Sequence, residues 1–451
     1  MKYPRLAFKR QMLQGFSLLL FLVLIVRLSY PLEWESLVLQ WVSRLDPWLL
    51  LSRLRWQGDV PGWGWLPLTT IVMTLLWGRI FCGWLCPLGA FLSLTDKAGR
   101  IILKSTAVFR TRVLQRTKPI RYYWLLVLVL VFALGSNWTF FLTPLALLSH
   151  ELVRIFQGAV PWLLFGLAAA TLLLSRIWCS VLCPTGVLLS WVARFRFGGY
   201  STDEKCSHCK LCLQTCPVGA APGEPGRAKE PCLVCGGCRS VCPSKAIRWQ
   251  LRSGSGKNQQ VMLRHSSLTN RQKSRRRFFK TAFTAVMAAV FWQETAAAAR
   301  KLLRPPGALP ESQFGAVCNR CGRCIQVCPS KALRPAPFTD GLAYFETPYI
   351  IPRQNRCDLC MACQAVCPTG AIMQLPPERV KMGTALLAKP RCIAWQENKL
   401  CFICGEQCPV LAIDGDEHHR PRVLADKCVG CGSCENACPV AGEAAIRVVP
   451  K

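Results

Sequence analysis

A membrane all-α domain with four transmembrane helices, joined to α+β bacterial ferredoxin-like 4Fe-4S modules, is the architecture this 451-residue chain predicts. Three observations predict it. Six cysteine groups begin at Cys206, Cys232, Cys318, Cys357, Cys392 and Cys428, and five of them spell C-x2-C-x2-C-x3-C-P. Four apolar stretches, about 13–30, 64–81, 122–143 and 160–178, approach the roughly 20 residues that a transmembrane helix needs. Mean hydropathy is +0.25 and aromatics make up 10%, which places part of the chain in lipid.

Residues 1–195 form the expected membrane domain. Lys2, Arg5, Lys9 and Arg10 precede the first apolar stretch. Lys97, Arg100, Lys104, Arg110, Arg112, Arg116, Lys118 and Arg121, against the single acid Asp96, separate the second from the third. Positive charge beside spans marks both segments as cytoplasmic. Residues 31–63 mix Glu33, Glu35, Asp46 and Asp59 with Trp41, Trp48, Trp56 and Trp63, as suits a periplasmic interfacial segment. Residues 200–250 carry the first two cysteine groups as a cytoplasmic two-cluster module, and 251–273 read as a polar linker.

Ser274-Arg275-Arg276-Arg277-Phe278-Phe279-Lys280 then precedes an apolar run from Thr281 to Trp292 and alanines at 296–299. About a dozen apolar residues are short for a span and ordinary for a signal, so 274–299 reads as an internal twin-arginine export signal. Ala296 to Ala298 offer a cleavage site, and an uncut segment would serve as an anchor. Such export would keep sixteen cysteines from being threaded unfolded into an oxidising periplasm. After a linker at Pro305, Pro306, Gly307 and Pro310, residues 300–451 form a periplasmic four-cluster domain.

Three thiolates from one C-x2-C-x2-C loop take three irons of a cubane, while the cysteine before proline reaches the partner cluster. On that pattern Cys206, Cys209, Cys212 and Cys242 hold one cluster, and Cys232, Cys235, Cys238 and Cys216 another. The groups Cys318-Cys321-Cys324-Cys328, Cys357-Cys360-Cys363-Cys367 and Cys428-Cys431-Cys434-Cys438 keep the spacing. The fifth, Cys392-Cys401-Cys404-Cys408, takes its first ligand from a longer loop. Up to six clusters follow. Neighbouring groups, or first with fourth and second with third, are both open pairings for the last four. The runs after Cys242-Pro243 and Cys328-Pro329 look like helix starts. Zinc knuckles do not ask for a third cysteine and a terminal Cys-Pro each time, and a disulfide framework belongs to short secreted chains.

Arg79-Ile80-Phe81-Cys82-Gly83-Trp84-Leu85-Cys86-Pro87-Leu88-Gly89 and Arg176-Ile177-Trp178-Cys179-Ser180-Val181-Leu182-Cys183-Pro184-Thr185-Gly186 match at an offset of 97 residues. Helical spacing puts each cysteine pair on one face, so Cys82, Cys86, Cys179 and Cys183 form a candidate redox or metal site. The bland reading is four free cysteines packed as small hydrophobes. Haem has little support: no C-x2-C-H occurs, and of five histidines only His150 lies near a span. The net charge of +32 reads as membrane topology, and no nucleic-acid module accompanies it.

Four spans with two C-x3-C-P motifs and a two-cluster module resemble NapH, the membrane component of the quinol dehydrogenase serving periplasmic nitrate reductase, over residues 1 to about 255. The signal and four-cluster domain, 274–451, resemble NapG, its periplasmic partner. The chain thus resembles a NapH–NapG fusion, and the MauN and MauM pair of methylamine-dehydrogenase systems is similar in layout. The resemblance implies a multi-pass protein of the bacterial inner membrane that oxidises quinol from the lipid pool. Its electrons pass through clusters to a periplasmic acceptor such as a cytochrome c or a metalloenzyme. A maturation or reactivation factor supplying electrons or metal to a periplasmic metalloenzyme is the alternative, and a membrane-anchored cytoplasmic polyferredoxin is a third reading. His150 and Glu151 are scattered candidates for quinol chemistry, and neither is assigned. The hydrocarbon core, about 30 Å thick, separates clusters on opposite faces, so either quinol feeds the periplasmic domain directly or something bridges the gap.

Overall fold

The computed structural model describes residues 4–32, 34–58, 60–102, 113, 117, 120–133, 138–203, 205–207, 209–220, 231–251, 302–341 and 344–451. The expected linker, twin-arginine segment and cleavage site lie outside these residues, as do most basic residues between 103 and 119.

All four apolar stretches are helical. They are α1 (Pro4–Val26), α4 (Trp65–Trp77), α6 (Ile120–Ala133) and α9 (Trp162–Leu174). Phe8–Val26 is long and apolar enough to cross a membrane, whereas Trp65–Trp77, Ile120–Phe132 and Trp162–Leu174 are shorter apolar helices. The shortening of α4 and α9 has a local cause. Gly78 (φ 104°) and Ser175 (φ 59°) leave helical space, and the chain re-forms as π-helical turns at Phe81–Leu85 and Trp178–Leu182.

Other helices complete the bundle: α2 (Trp34–Ser43), α3 (Pro47–Gln57), α5 (Pro87–Ile102), α7 (Trp138–Phe141), α8 (Pro144–Phe156) and α10 (Pro184–Val192). The segment 31–63 is therefore structured rather than a simple interfacial loop. Asp46 caps α3 by accepting the Trp48 N–H at 3.0 Å, and Pro47 sits at the first helical position, where its missing N–H costs nothing. Trp48 and Trp63 are buried. They are core, not interface anchors, while Trp41 stays exposed.

Each end of α4 meets a different neighbour. At its C-terminal end the Phe197 N–H donates to Leu75 O and the Arg79 N–H to Cys232 O. There β1 (Gly198–Thr202) pairs antiparallel with β2 (Ile247–Leu251) around the first two cysteine groups. Towards its N-terminal end Thr70 donates to Leu45 O, and the α2–α3 corner stands over it. The C-terminal domain docks on that corner: Arg323 donates to Leu39 O and Ser149 Oγ, and Gln40 to Ala365 O.

Within the C-terminal domain short hairpins alternate with one-turn helices. Strands β3 (Leu333–Pro335) and β4 (Pro348–Ile350) pair, as do β5 (Gly383–Leu387) with β8 (Ile446–Pro450) and β6 (Ile413–Gly415) with β7 (Pro421–Val423), all antiparallel. The expected helix starts after Cys242-Pro243 and Cys328-Pro329 are instead left-handed turns at Lys245 and Lys331 that lead into β2 and β3. Residues 302–310 are no free linker. Leu302, Leu303 and Arg304 are buried, and Arg304 grips the Glu311 carboxylate at 2.5 and 2.8 Å.

Candidate metal centres

The cysteine loops share one backbone path. In C-x2-C-x2-C the residues on either side of the second cysteine turn left-handed: Val234, Arg320, Leu359 and Gly430 before it, and Lys210, Gly236, Gly322, Met361 and Gly432 after it. Left-handed residues outside glycine cost of order 1–3 kcal/mol, yet this path curls the amides into a concave nest suited to an anion. Amides duly reach sulfur. Val234 N–H donates to Cys232 Sγ at 3.3 Å, Ala220 to Cys216 at 3.2 Å, Ala412 to Cys408 at 3.2 Å and Ala385 to Cys428 at 3.4 Å.

The thiols gather in sets. Cys216 lies within electrostatic reach of Cys232 and Cys235, and Cys238 of Cys235, Cys232, Cys216 and Cys212. The other set expected in the first module, Cys206, Cys209, Cys212 and Cys242, is more open: Cys209 is exposed and the rest are half-buried. In the C-terminal domain neighbouring groups exchange their last cysteines. Cys324 faces Cys318, Cys321 and Cys367, while Cys363 faces Cys357, Cys360 and Cys328. One cavity is lined by Cys392, Cys401, Cys404 and Cys438, another by Cys408, Cys428, Cys431 and Cys434. The irregular fifth group therefore contributes to two sets of four like the others, its longer loop only rerouting Cys392. The Cys357 N–H donates to Cys431 O at 2.9 Å, tying the two pairs of groups together.

These residues fit iron–sulfur clusters better than single ions. Among the described residues no three His, Cys, Asp or Glu side chains converge closely enough for one metal ion, and zinc with bonds near 2.3 Å demands such convergence. Burial pushes the thiols of Cys318, Cys357 and Cys404 up to about 12. They carry protons at neutral pH until metal displaces them. A bound cluster would supply one-electron redox chemistry, its potential tuned by the N–H···S contacts and by burial.

Cys82, Cys86, Cys179 and Cys183 also come together, all buried in one core. Cys86 lies within electrostatic reach of Cys82 and Cys179, and Cys183 of Cys82, Cys86 and Cys179. The cysteines of each pair do not share an α-helical face as expected. Cys82 and Cys179 sit inside the π-turns, while Cys86 and Cys183 follow them in extended conformation, their N–H groups donating five residues back to Phe81 O and Trp178 O. The following proline excludes the helical conformation there.

Buried arginines escaped the sequence reading. Arg79, Arg176, Arg320 and Arg323 are at most 2% exposed and stand beside cysteine sets. The signal was present for two of them, since Arg79 and Arg176 open the matched repeats and a charge beside an apolar span marks function by default. His150 and Glu151 meet Glu346 of the C-terminal domain: His150 Nδ1 is 3.1 Å from Glu151 and Nε2 is 3.2 Å from Glu346, the latter off the line of a good hydrogen bond. Arg154 completes the seam at 2.9 Å from Glu346.

Comparison with known proteins agrees with this chemistry. A family profile described as "4Fe-4S binding domain" matches residues 60–105 and 157–198, the two copies of the membrane repeat. A "4Fe-4S dicluster domain" profile matches 317–371, and further "4Fe-4S binding domain" profiles match 206–220 and 419–440. The methylamine utilization ferredoxin-type protein MauM of Methylorubrum extorquens is 37% identical over 184 residues, covering 38% of this chain and 83% of the relative. The ferredoxin-type protein NapG of Escherichia coli is 34% identical over 203 residues, covering 40% and 87%. MauM of Paracoccus denitrificans is 39% identical over 164 residues, covering 34% and 72%. No solved structure matches the chain.

Proposed function

Because the chain belongs to the ferredoxin-type iron–sulfur proteins that include MauM and NapG, we propose that it is a membrane-embedded conductor passing electrons from quinol to a periplasmic redox system. The observation that carries this reading is the continuity of the thiol sets. Cys357 touches Cys431, the Cys318 and Cys357 groups exchange ligands, and Arg323, one residue from Cys324, bonds the helical bundle. Clusters in these sets would stand in a file from the bundle outwards, as stepwise electron transfer requires.

The membrane part of the proposal rests on exposed apolar faces. Phe16, Leu19 and Val23 of α1, Leu68 and Val72 of α4, Leu126 and Val129 of α6, and Phe165 and Leu173 of α9 are all exposed. Only 22% of the α1 window is buried, unlike the core helix of a soluble domain, and a patch of that extent asks for lipid or a partner. On this reading residues 1–195 span the membrane four times and 200–250 face the cytoplasm. Residues 274–299 act as a twin-arginine signal and 300–451 face the periplasm, so the chain joins a NapH-like and a NapG-like part. The acceptor is a cytochrome c or metalloenzyme of the kind served in nitrate reduction or methylamine oxidation.

Protease accessibility of residues 300–451 in intact spheroplasts tests the topology. Digestion in the wild type, lost in the double variant Arg275→Lys with Arg276→Lys, is the expected result, and fragment size reports any cleavage near 298. Protection in both proteins would replace this reading with a membrane-anchored cytoplasmic polyferredoxin.

A further inference from the structure

The four cysteines of the two repeats lie between the cluster modules, and their surroundings are built for an anion. Arg79 and Arg176 are 0% and 2% exposed. Their hydrogen-bond partners are carbonyls: Arg79 donates to Cys179 O, Gly186 O and Pro231 O, and Arg176 to Gly89 O. Neither has a carboxylate partner among the described residues, and Arg79 Nε and Arg176 Nη1 are buried donor atoms without a hydrogen bond. Burying two guanidinium groups without counter-charge is costly. Both arginines lie within electrostatic reach of the Cys82 and Cys179 thiols, and each also of a further arginine, Arg79 of Arg121 and Arg176 of Arg10.

The repeats interlock around these sulfurs. Arg79 of the first bonds the backbone of the second, and Arg176 of the second bonds the backbone of the first. Gly89 and Gly186, at matching positions, each donate an N–H to the preceding cysteine sulfur, Cys86 and Cys183, at 3.3 Å. The same N–H···S pattern surrounds the ferredoxin-type sets. On one side the Arg79 N–H bonds Cys232 O and Trp84 bonds Val234 O at 3.2 Å. On the other, Thr185 donates to both Asp46 oxygens at 2.9 Å. Asp46 shares a small cavity with Asn319 and Arg323, which flank Cys321.

We propose that Cys82, Cys86, Cys179 and Cys183 together hold one further iron–sulfur cluster, shared between the repeats, that relays electrons between the Cys232 set and the Cys318 set. Four thiolates on an oxidised cluster carry about two negative charges, which the two arginines match. The cluster gains one electron from one neighbouring set and gives it to the other, with no bond made or broken. This bridges the gap that the thickness of the hydrocarbon core imposes. The proposal rests on the electron-conductor reading for its role, but not for its existence.

The test uses full-length protein, purified anaerobically in detergent, with iron and acid-labile sulfide counted per chain. Six 4Fe-4S clusters account for about 24 irons, so the wild type should exceed that number, and Cys86→Ala with Cys183→Ala should lose up to about four irons and as many sulfides. Retention of the remaining clusters in the electron paramagnetic resonance spectrum shows that the variant is folded. In vesicles, external dithionite should reduce ferricyanide trapped inside through the wild type and not through the variant. A wild type with no more than about 24 irons, or zinc in place of the extra iron, overturns the cluster. Loss of iron with unchanged electron crossing overturns the relay. Iron far below that level in both proteins would instead sink the six-cluster reading and leave the site to be judged by the sulfide lost between wild type and variant, where no loss overturns it.

Discussion

Arg79 and Arg176 stand at the same place in two copies of one motif, yet one fastens three carbonyls across two domains and the other a single carbonyl within the bundle. Within the matched segments the copies differ at four positions, and two of these bear on their neighbours. Gly83 in the first is Ser180 in the second, and Leu88 is Thr185. Each change matches a change of neighbour. A Cβ on Gly83 would lie 2.3 Å from Leu233 O, so glycine there admits the Cys232 loop, while Ser180 turns its hydroxyl back to Arg176 O. Thr185 binds Asp46, where Leu88 is simply buried. A duplicated scaffold has kept its sulfurs in register while its two outer faces were specialised for different partners.

Substituting the arginines tests this asymmetry most severely. Arg79→Met leaves three buried carbonyls short of a donor, at about 1–3 kcal/mol each, and should nearly abolish folded protein. Arg176→Met should cost only about 1–3 kcal/mol. Thermal unfolding in detergent measures both, and equal losses would mean the copies are equivalent after all. Next in size, Gly83→Ser should push the Cys232 loop away at about 1–3 kcal/mol and reduce iron retained by the first module, whereas Ser180→Gly should cost about 1 kcal/mol or less. Thr185→Val leaves the buried Asp46 carboxylate with the Trp48 N–H but without the hydroxyl donor and should cost about 1–3 kcal/mol, visible as faster hydrogen exchange at the start of α3. Unchanged exchange would detach the second copy from that corner.

The smallest effect concerns the outer seams. The first module is fastened partly by Arg79, Trp84 and Arg100, which donate to its backbone carbonyls, the C-terminal domain partly by His150, Glu346 and Arg154. Burial lowers the affinity of His150 for a proton, but the hydrogen bond with Glu151 and the charges of Glu151 and Glu346 outweigh it and hold the pKa above the ordinary 6.5. The seam is therefore at full strength below about pH 6.5 and loosens as pH rises through the higher folded value. Protease nicking between α8 and residues 344–350 should increase over that range in the wild type and lose its pH dependence in His150→Gln. A pH-independent wild type would remove the distinction between the seams.

The sequence made much of this legible, because cluster loops are local. Spacing alone marks out the cysteine groups and the repeat around Cys82 and Cys179. What it left unread depends on distance along the chain. Neighbour pairing of the C-terminal groups depends on juxtapositions such as Cys324 with Cys367, which no local pattern encodes. The π-turns arise from Gly78 and Ser175 acting with Pro87 and Pro184, a combination that helical spacing mistakes for one continuous face. Helices α2 and α8 carry Glu35, Gln40, His150 and Glu151, in segments that read as interfacial along the sequence, yet all four are buried, three of them beneath a domain more than 150 residues away in sequence or on the seam with it.

The touch between Cys357 and Cys431 also decides which group meets the outside world. Since the Cys428 set is attached to the Cys357 set, the set containing Cys392, Cys401 and Cys404 stands beyond it, and Leu400, next to Cys401 in the chain, is exposed. The one group that breaks the spacing rule is thus the terminal plug of the file. A lineage could rewrite residues 389–415 to suit a new socket and leave the wiring behind it untouched.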